Sequence, residues 1–169
     1  MWIGVAIEIP DPYRAALTRA RLDAGDPRAG LIPPHITLVP PTWIDPERLM
    51  DVVAHLARVA AARSPFIVRL AGTETFRPIT PVVFVPLVRG GDDCTGLQAA
   101  LNAGPLAAEQ RFPYRPHVTI AHEIDDTSLD RAEAAMADFS AEFPVAAFEL
   151  FEHGLDGVWR GIDRFTLTV

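Results

Sequence analysis

Two short segments of the sequence carry residues that could perform acid/base chemistry. His35 and Thr37 are separated by one apolar residue, and His117 and Thr119 repeat this arrangement 82 residues further along the chain. Both histidines follow a proline, and the full segments are Pro-His-Ile-Thr-Leu and Pro-His-Val-Thr-Ile. Because residues i and i+2 of a strand point to the same face, each segment predicts a strand with histidine and threonine on one face and apolar side chains on the other.

Such a pair of segments suits the displacement reaction of a phosphodiester. If both face one cleft, one imidazole can accept a proton from the nucleophile while the other protonates the leaving oxygen. The two hydroxyls can donate hydrogen bonds to the phosphate oxygens. We therefore predict His35 and His117 as catalytic residues and Thr37 and Thr119 as phosphate-binding residues. A bell-shaped pH profile from two ionisations near neutrality is expected, and either histidine could be the acid or the base.

The rest of the chain alternates between strand and helix patterns, which predicts an α+β fold. Strands are predicted at residues 2–9, 36–39, 66–70, 82–88, 117–121, 145–151 and 165–169. Helices are predicted at residues 12–23, 46–63, 97–103 and 128–143. No linker divides the chain, and the repeated motif indicates two related halves. We expect residues 1–169 to form a single domain of two intertwined lobes.

The charge composition limits the kind of ligand that this chain can bind. The net charge is −7, and all 15 basic residues are arginine. A sequence-independent binder of long nucleic acid normally has a basic face, so that class is disfavoured. Arginine captures phosphate with two hydrogen bonds, so a small anionic substrate remains possible. One cysteine excludes a disulfide framework or a Cys-rich zinc module, and no apolar run reaches the ~18 residues that span a bilayer. We expect a cytoplasmic monomer that needs no protein partner.

The paired segments, together with the Phe76-Arg77-Pro78 loop, resemble the two-histidine (2H) phosphoesterase superfamily, particularly its bacterial 2′-5′ RNA ligase-like and 2′,3′-cyclic phosphodiesterase branch. The resemblance covers nearly the whole chain. It implies a bilobal fold with two antiparallel-rich sheets related by a pseudo-two-fold axis, outer helices and a central cleft. It also implies opening of a 2′,3′-cyclic phosphate on a nucleotide or short RNA end without metal or cofactor, and in some members 2′-5′ RNA ligation.

Several other residues are candidates for contact with the substrate. Arg77 and Arg115 could hold a phosphate or a ribose, although surface ion pairs explain them slightly better. Phe76 and Tyr114 could stack on a base, although aromatic residues near strand ends often belong to the core. His122 stands where many ligase-like relatives carry arginine, and it could meet a phosphate or be a loop residue. A non-catalytic module that binds nucleotides or RNA termini in the same cleft remains the alternative function.

Overall fold

Nine strands and four helices make up the fold, and a computed structural model describes all of it, residues 1–169. The strands are β1 (Trp2–Glu8), β2 (His35–Trp43), β3 (Phe66–Ala71), β4 (Glu74–Thr75), β5 (Val82–Arg89), β6 (His117–His122), β7 (Ser140–Val145), β8 (Ala147–His153) and β9 (Trp159–Thr166). The helices are α1 (Tyr13–Ala24), α2 (Leu49–Ala61), α3 (Gly91–Leu101) and α4 (Asp126–Ala135). The mixture confirms the predicted α+β class.

The strands form two antiparallel sheets. The first has the order β2-β1-β8-β9, and the second has the order β4-β5-β3-β7 with β6 paired to β5. Each histidine segment is therefore an edge strand, since β2 pairs only with β1 and β6 only with β5. These two edge strands contact each other, and one cluster of buried apolar residues runs through both sheets. The two motifs that are distant in sequence are thus neighbours in space.

The prediction of a helix over residues 128–143 is wrong in its second half. Helix α4 begins after Asp125, whose side chain accepts a hydrogen bond from the Ser128 main-chain N–H at 2.9 Å, and it ends at Ala135. Residues 140–145 form β7, in which every second residue is buried. Pro144 lies in this strand, and proline is unfavourable inside a helix. The period of two therefore outweighs the helical propensity of the preceding residues.

Other element boundaries also differ from the prediction. Helix α3 begins at Gly91 rather than residue 97, and β9 begins at Trp159 rather than residue 165. Gly90 makes the turn into α3 with a φ of +82°, and a Cβ there would lie 2.6 Å from the Ile67 carbonyl oxygen. Only glycine fits such a position without a shift of the backbone. No helix combines the length and the apolar character needed to cross a membrane.

Candidate active site

The two motif histidines are held by the same kind of hydrogen bond. Nδ1 of His35 donates to the Pro33 carbonyl oxygen at 2.8 Å, and Nδ1 of His117 donates to the Arg115 carbonyl oxygen at 2.7 Å. In both cases the carbonyl belongs to the residue two positions earlier. Because a carbonyl can only accept, the neutral ring carries its proton on Nδ1. Nε2 of each histidine is then an acceptor that can take a proton.

The two threonines differ in what they bind. The Thr37 hydroxyl lies 3.1 Å from Nε2 of His35 and donates to it. The Thr119 hydroxyl makes no hydrogen bond within the protein, although it lies on the same strand as His117. Nε2 of His117 also has no partner within the protein. The second motif therefore offers an unpaired donor and an unpaired acceptor, whereas the first motif satisfies its own groups.

A tryptophan from the C-terminal strand covers His35. The indole ring of Trp159 lies 4.6 Å from the imidazole, centroid to centroid, with 35° between the planes. Burial lowers the pKa of His35 to about 4; the hydrogen bond to Pro33 opposes this shift, and the charges of Arg21 and His117 add to it. Trp159 cannot be found from the sequence, because no motif or spacing links it to the histidine segments.

His117 lies among aromatic side chains of the second sheet. Its ring centroid is 5.0 Å from that of Phe76 and 5.1 Å from that of Phe84. The Arg115 guanidinium lies 5.1 Å from the Phe84 ring centroid and forms an ion pair with Glu74. Burial lowers the pKa of His117, and the charge of Arg115 adds to this effect. The charge of His117 is in turn the smallest of the causes that lower the pKa of His35.

A cavity of about 680 Å³ opens beside His117. Its lining includes Thr37, Phe76, Tyr114 and Arg115, which sequence analysis had singled out. The Tyr114 hydroxyl donates to the Thr37 carbonyl oxygen at 2.8 Å, which ties the segment before β6 to β2. The volume is typical of a small-molecule pocket. The cavity therefore places candidate residues from both motifs around a space that a nucleotide could fill.

The cavity lining lacks four of the candidate residues, namely His35, Thr119, Arg77 and His122. The last two are held by contacts elsewhere in the protein. The Arg77 guanidinium forms ion pairs with Asp130 and Glu133 on α4, so its charge is already neutralised. His122 is bonded through Nδ1 to Arg28 at 2.8 Å, and burial lowers its pKa. Neither residue lines the cavity beside His117. The structure therefore favours the ion-pair interpretation of Arg77 and gives His122 a protein partner.

A second, smaller cavity of about 130 Å³ lies at the C-terminal end of β1. Two carboxylates and two guanidiniums line it, so it offers no excess of positive charge; they belong to Glu8, Glu149, Arg14 and Arg164. Nowhere does the fold gather three or more His, Cys, Asp or Glu side chains that could hold a metal ion. The cavity beside His117 is therefore the better candidate for an anionic ligand.

Two similar antiparallel sheets, each with a His-x-Thr edge strand, define a two-histidine phosphoesterase. The family model described as "2'-5' RNA ligase superfamily" matches residues 9–157, and the chain belongs to this superfamily. A relative from Bacillus thuringiensis (strain Al Hakam), named "Putative phosphoesterase", is 30% identical over 146 residues, which cover 84% of this chain and 83% of the relative. These comparisons confirm the family that the two segments predicted.

Solved structures show the same fold over the whole chain. TT0787 of Thermus thermophilus is 26% identical, with a TM-score of 0.71 and coverage of 99% of this chain and 98% of that chain. E. coli LigT complexed with 3′-AMP is 16% identical, with a TM-score of 0.67 and the same coverage. This chain thus shares its fold with both of these proteins.

Proposed function

We propose that this enzyme opens 2′,3′-cyclic phosphates of nucleotides or short RNA ends, with His35 and His117 as the acid/base pair. The observation that carries the proposal is the matched bonding of the two rings. Both keep Nδ1 on a main-chain carbonyl, which makes Nε2 the proton-accepting atom of each ring. Nε2 of His117 is unpaired, and Nε2 of His35 is held only by the Thr37 hydroxyl, which a phosphate oxygen could attract instead. The E. coli LigT complex with 3′-AMP supports a nucleotide as the first ligand to test.

The proposed reaction is the addition of water to the cyclic phosphate. One histidine takes a proton from water as its oxygen bonds to phosphorus, and the bond from phosphorus to one ribose oxygen breaks. The other histidine gives a proton to that ribose oxygen, and the product is a nucleoside monophosphate. Thr37 and Thr119 would donate hydrogen bonds to the non-bridging oxygens, whose negative charge grows during the displacement. No metal ion or cofactor is needed in this scheme.

The surroundings of the two rings favour one division of roles. His35 is covered by Trp159 and lies near the charge of Arg21, so the neutral form of its ring is strongly favoured. Because the pKa of His35 is lowered to about 4, this ring is neutral at mildly acidic pH, as a general base must be. We therefore assign His35 as the general base and His117 as the general acid for the opening reaction.

The test of the proposed function is incubation with 2′,3′-cyclic nucleotides in the presence of EDTA, followed by separation of the products. We expect the cyclic nucleotide to be converted into a nucleoside monophosphate at the same rate with and without the chelator. Saturable binding without product would favour the non-catalytic module instead. A loss of turnover in EDTA that added metal restores would contradict the metal-independent scheme.

RNA ligation by the same site is a second candidate activity. Ligation would use the 5′-hydroxyl of another RNA end as the nucleophile in place of water. Its oxygen would bond to phosphorus as the bond from phosphorus to the 3′-oxygen breaks, and the 3′-oxygen would receive the proton, which leaves a 2′-5′ linkage. The assay is the joining of a fragment with a 2′,3′-cyclic phosphate to a fragment with a 5′-hydroxyl. The superfamily model supports including this assay beside the hydrolysis test.

The pH dependence of kcat/KM tests the division of roles. We expect a bell-shaped profile with its maximum on the acid side of pH 6.5, the ordinary histidine pKa. Activity should rise as the pH increases through about 4, because His35 must lose its proton to act as a base. As the pH increases further, activity should fall again before neutral pH is reached. The reason is that His117 must keep its proton to act as an acid, and its pKa is lowered. A maximum at or above neutral pH would contradict this division of roles.

A further inference from the structure

One wall of the cavity beside His117 carries a buried amide. Gln98 lies on α3 and is only 5% exposed, and it lines the cavity. The other buried residues of this helix, Cys94, Leu97 and Leu101, are apolar and belong to the core. Gln98 is therefore the one polar residue on the buried face of this helix, and it lies where that face borders the cavity.

The Gln98 amide has no hydrogen-bond partner within the protein. Neither its oxygen nor its nitrogen donates or accepts a bond to another residue, and neither atom is sealed from the cavity. Because an amide left without any partner is unfavourable, both atoms depend on what fills the cavity for their hydrogen bonds. An unpaired amide that faces a ligand-sized cavity is suited to a ligand that supplies both an acceptor and a donor.

The neighbouring groups in the cavity indicate a flat ligand with polar edges. Phe112 is 52% exposed and lines the same space, with the Arg111 guanidinium 5.3 Å from its ring centroid. Asn102 also lines the cavity; its nitrogen donates to the Ala108 carbonyl oxygen, and its side-chain oxygen is unpaired. Aromatic faces stack on any nucleobase, whereas amides bind the edge of one.

We propose that Gln98 is a specificity-determining residue whose amide binds the edge of the nucleobase and favours adenine. Adenine presents an N6 amino group beside the N7 acceptor, and a glutamine amide pairs with both at once. This proposal rests on the proposed function, because the cyclic phosphate of the same nucleotide would lie against His117. Phe112 would supply a face for the base, and Asn102 a second acceptor near its edge.

The experiment compares kcat/KM of the native enzyme and of Gln98→Met on the four 2′,3′-cyclic nucleotides and on a 2′,3′-cyclic phosphate of 1-O-methyl ribose, which lacks a base. We expect the native enzyme to prefer the adenine substrate, and Gln98→Met to lose about tenfold to a hundredfold on it. The substrate without a base should be unaffected. The variant Ala99→Met introduces the same side chain at the next, exposed position of α3 and should keep the native preference.

Binding measurements separate a failure of this proposal from a failure of the proposed function. Calorimetry with 3′-AMP and 3′-UMP needs no turnover, so it reports the preference of the cavity even if no cyclic phosphate is opened. We expect 3′-AMP to bind more tightly, and Gln98→Met to remove the difference. An unchanged preference in Gln98→Met, an equal loss on the substrate without a base, or no base preference in the native protein would each overturn the proposal.

Discussion

Replacement of His35 or His117 by alanine is expected to lower kcat/KM for 2′,3′-cyclic nucleotides by about 10²–10⁴-fold in each case. Each variant removes one of the two Nε2 atoms that the proposed mechanism uses for proton exchange with the nucleophile and the leaving oxygen. The double variant should be little worse than either single variant, because the two groups act in the same step. Steady-state kinetics on the three proteins, with far-UV circular dichroism to verify the fold, provides the measurement.

His122→Ala is the matched control for these variants, since it removes an imidazole from the same strand as His117. Nδ1 of His122 is bonded to a side chain, the Arg28 guanidinium, and not to a main-chain carbonyl as in the two motif histidines, so most of the activity should remain. A near-native rate in either His35→Ala or His117→Ala would be incompatible with the paired mechanism. A loss in His122→Ala as large as that in His117→Ala would instead restore the role that the sequence suggested for His122.

Replacement of Asp26 by alanine is expected to lower the free energy of unfolding by about 3–5 kcal/mol. The Asp26 side chain is fully buried and the Arg21 side chain is 5% exposed, and the two form an ion pair at 2.8 Å. Asp26 also accepts a hydrogen bond from the Arg28 main-chain N–H at 2.8 Å. Without Asp26, the buried Arg21 charge has no carboxylate beside it and keeps only the hydrogen bond from Nη1 to the Ile32 carbonyl oxygen at 3.4 Å. Urea or thermal unfolding of the native and variant proteins measures the difference.

The double variant Arg21→Met with Asp26→Leu is the control for this ion pair. It replaces both charges by apolar groups of similar size, so it should recover much of the stability that Asp26→Ala loses. If Asp26→Ala lowered the free energy of unfolding by less than about 1 kcal/mol, the prediction would be wrong, because so small an effect is typical of exposed ion pairs. Because the pair holds the end of α1 to the segment before His35, Asp26→Ala should also lower kcat/KM.

The central parts of the site could be predicted from the sequence because they depend on local periodicity. A His-x-Thr segment places both side chains on one strand face wherever that strand lies, and the second copy indicates a second strand of the same kind. The contact between the two strands was not readable from either segment alone. It followed from the hypothesis that two similar halves face each other, and the structure shows β2 and β6 in contact.

The parts that could not be predicted are contacts between residues far apart in the sequence. Trp159 lies 4.6 Å from the His35 ring although 124 positions separate the two residues, and nothing in the local pattern of either one indicates the other. Arg77 was a reasonable phosphate ligand by residue type, but its partners lie on α4. The helix predicted through residue 143 fails for a local reason instead. The alternation of Ala141, Phe143 and Val145 is the pattern of a strand, and it outweighs the helical propensity of the residues before it.

The strand order of the first sheet has a consequence for the synthesis of the protein on the ribosome. His35 lies on β2, which is made early, but β8 and β9 of the same sheet span residues 147–166 and are made last. The second sheet uses strands between residues 66 and 145 and can be completed sooner. Until the last segment emerges, β1 keeps one edge of unpaired main-chain groups, which can pair with other chains. Translation that stalls near residue 146 would therefore release an aggregation-prone chain, even though both histidine motifs had already been synthesised.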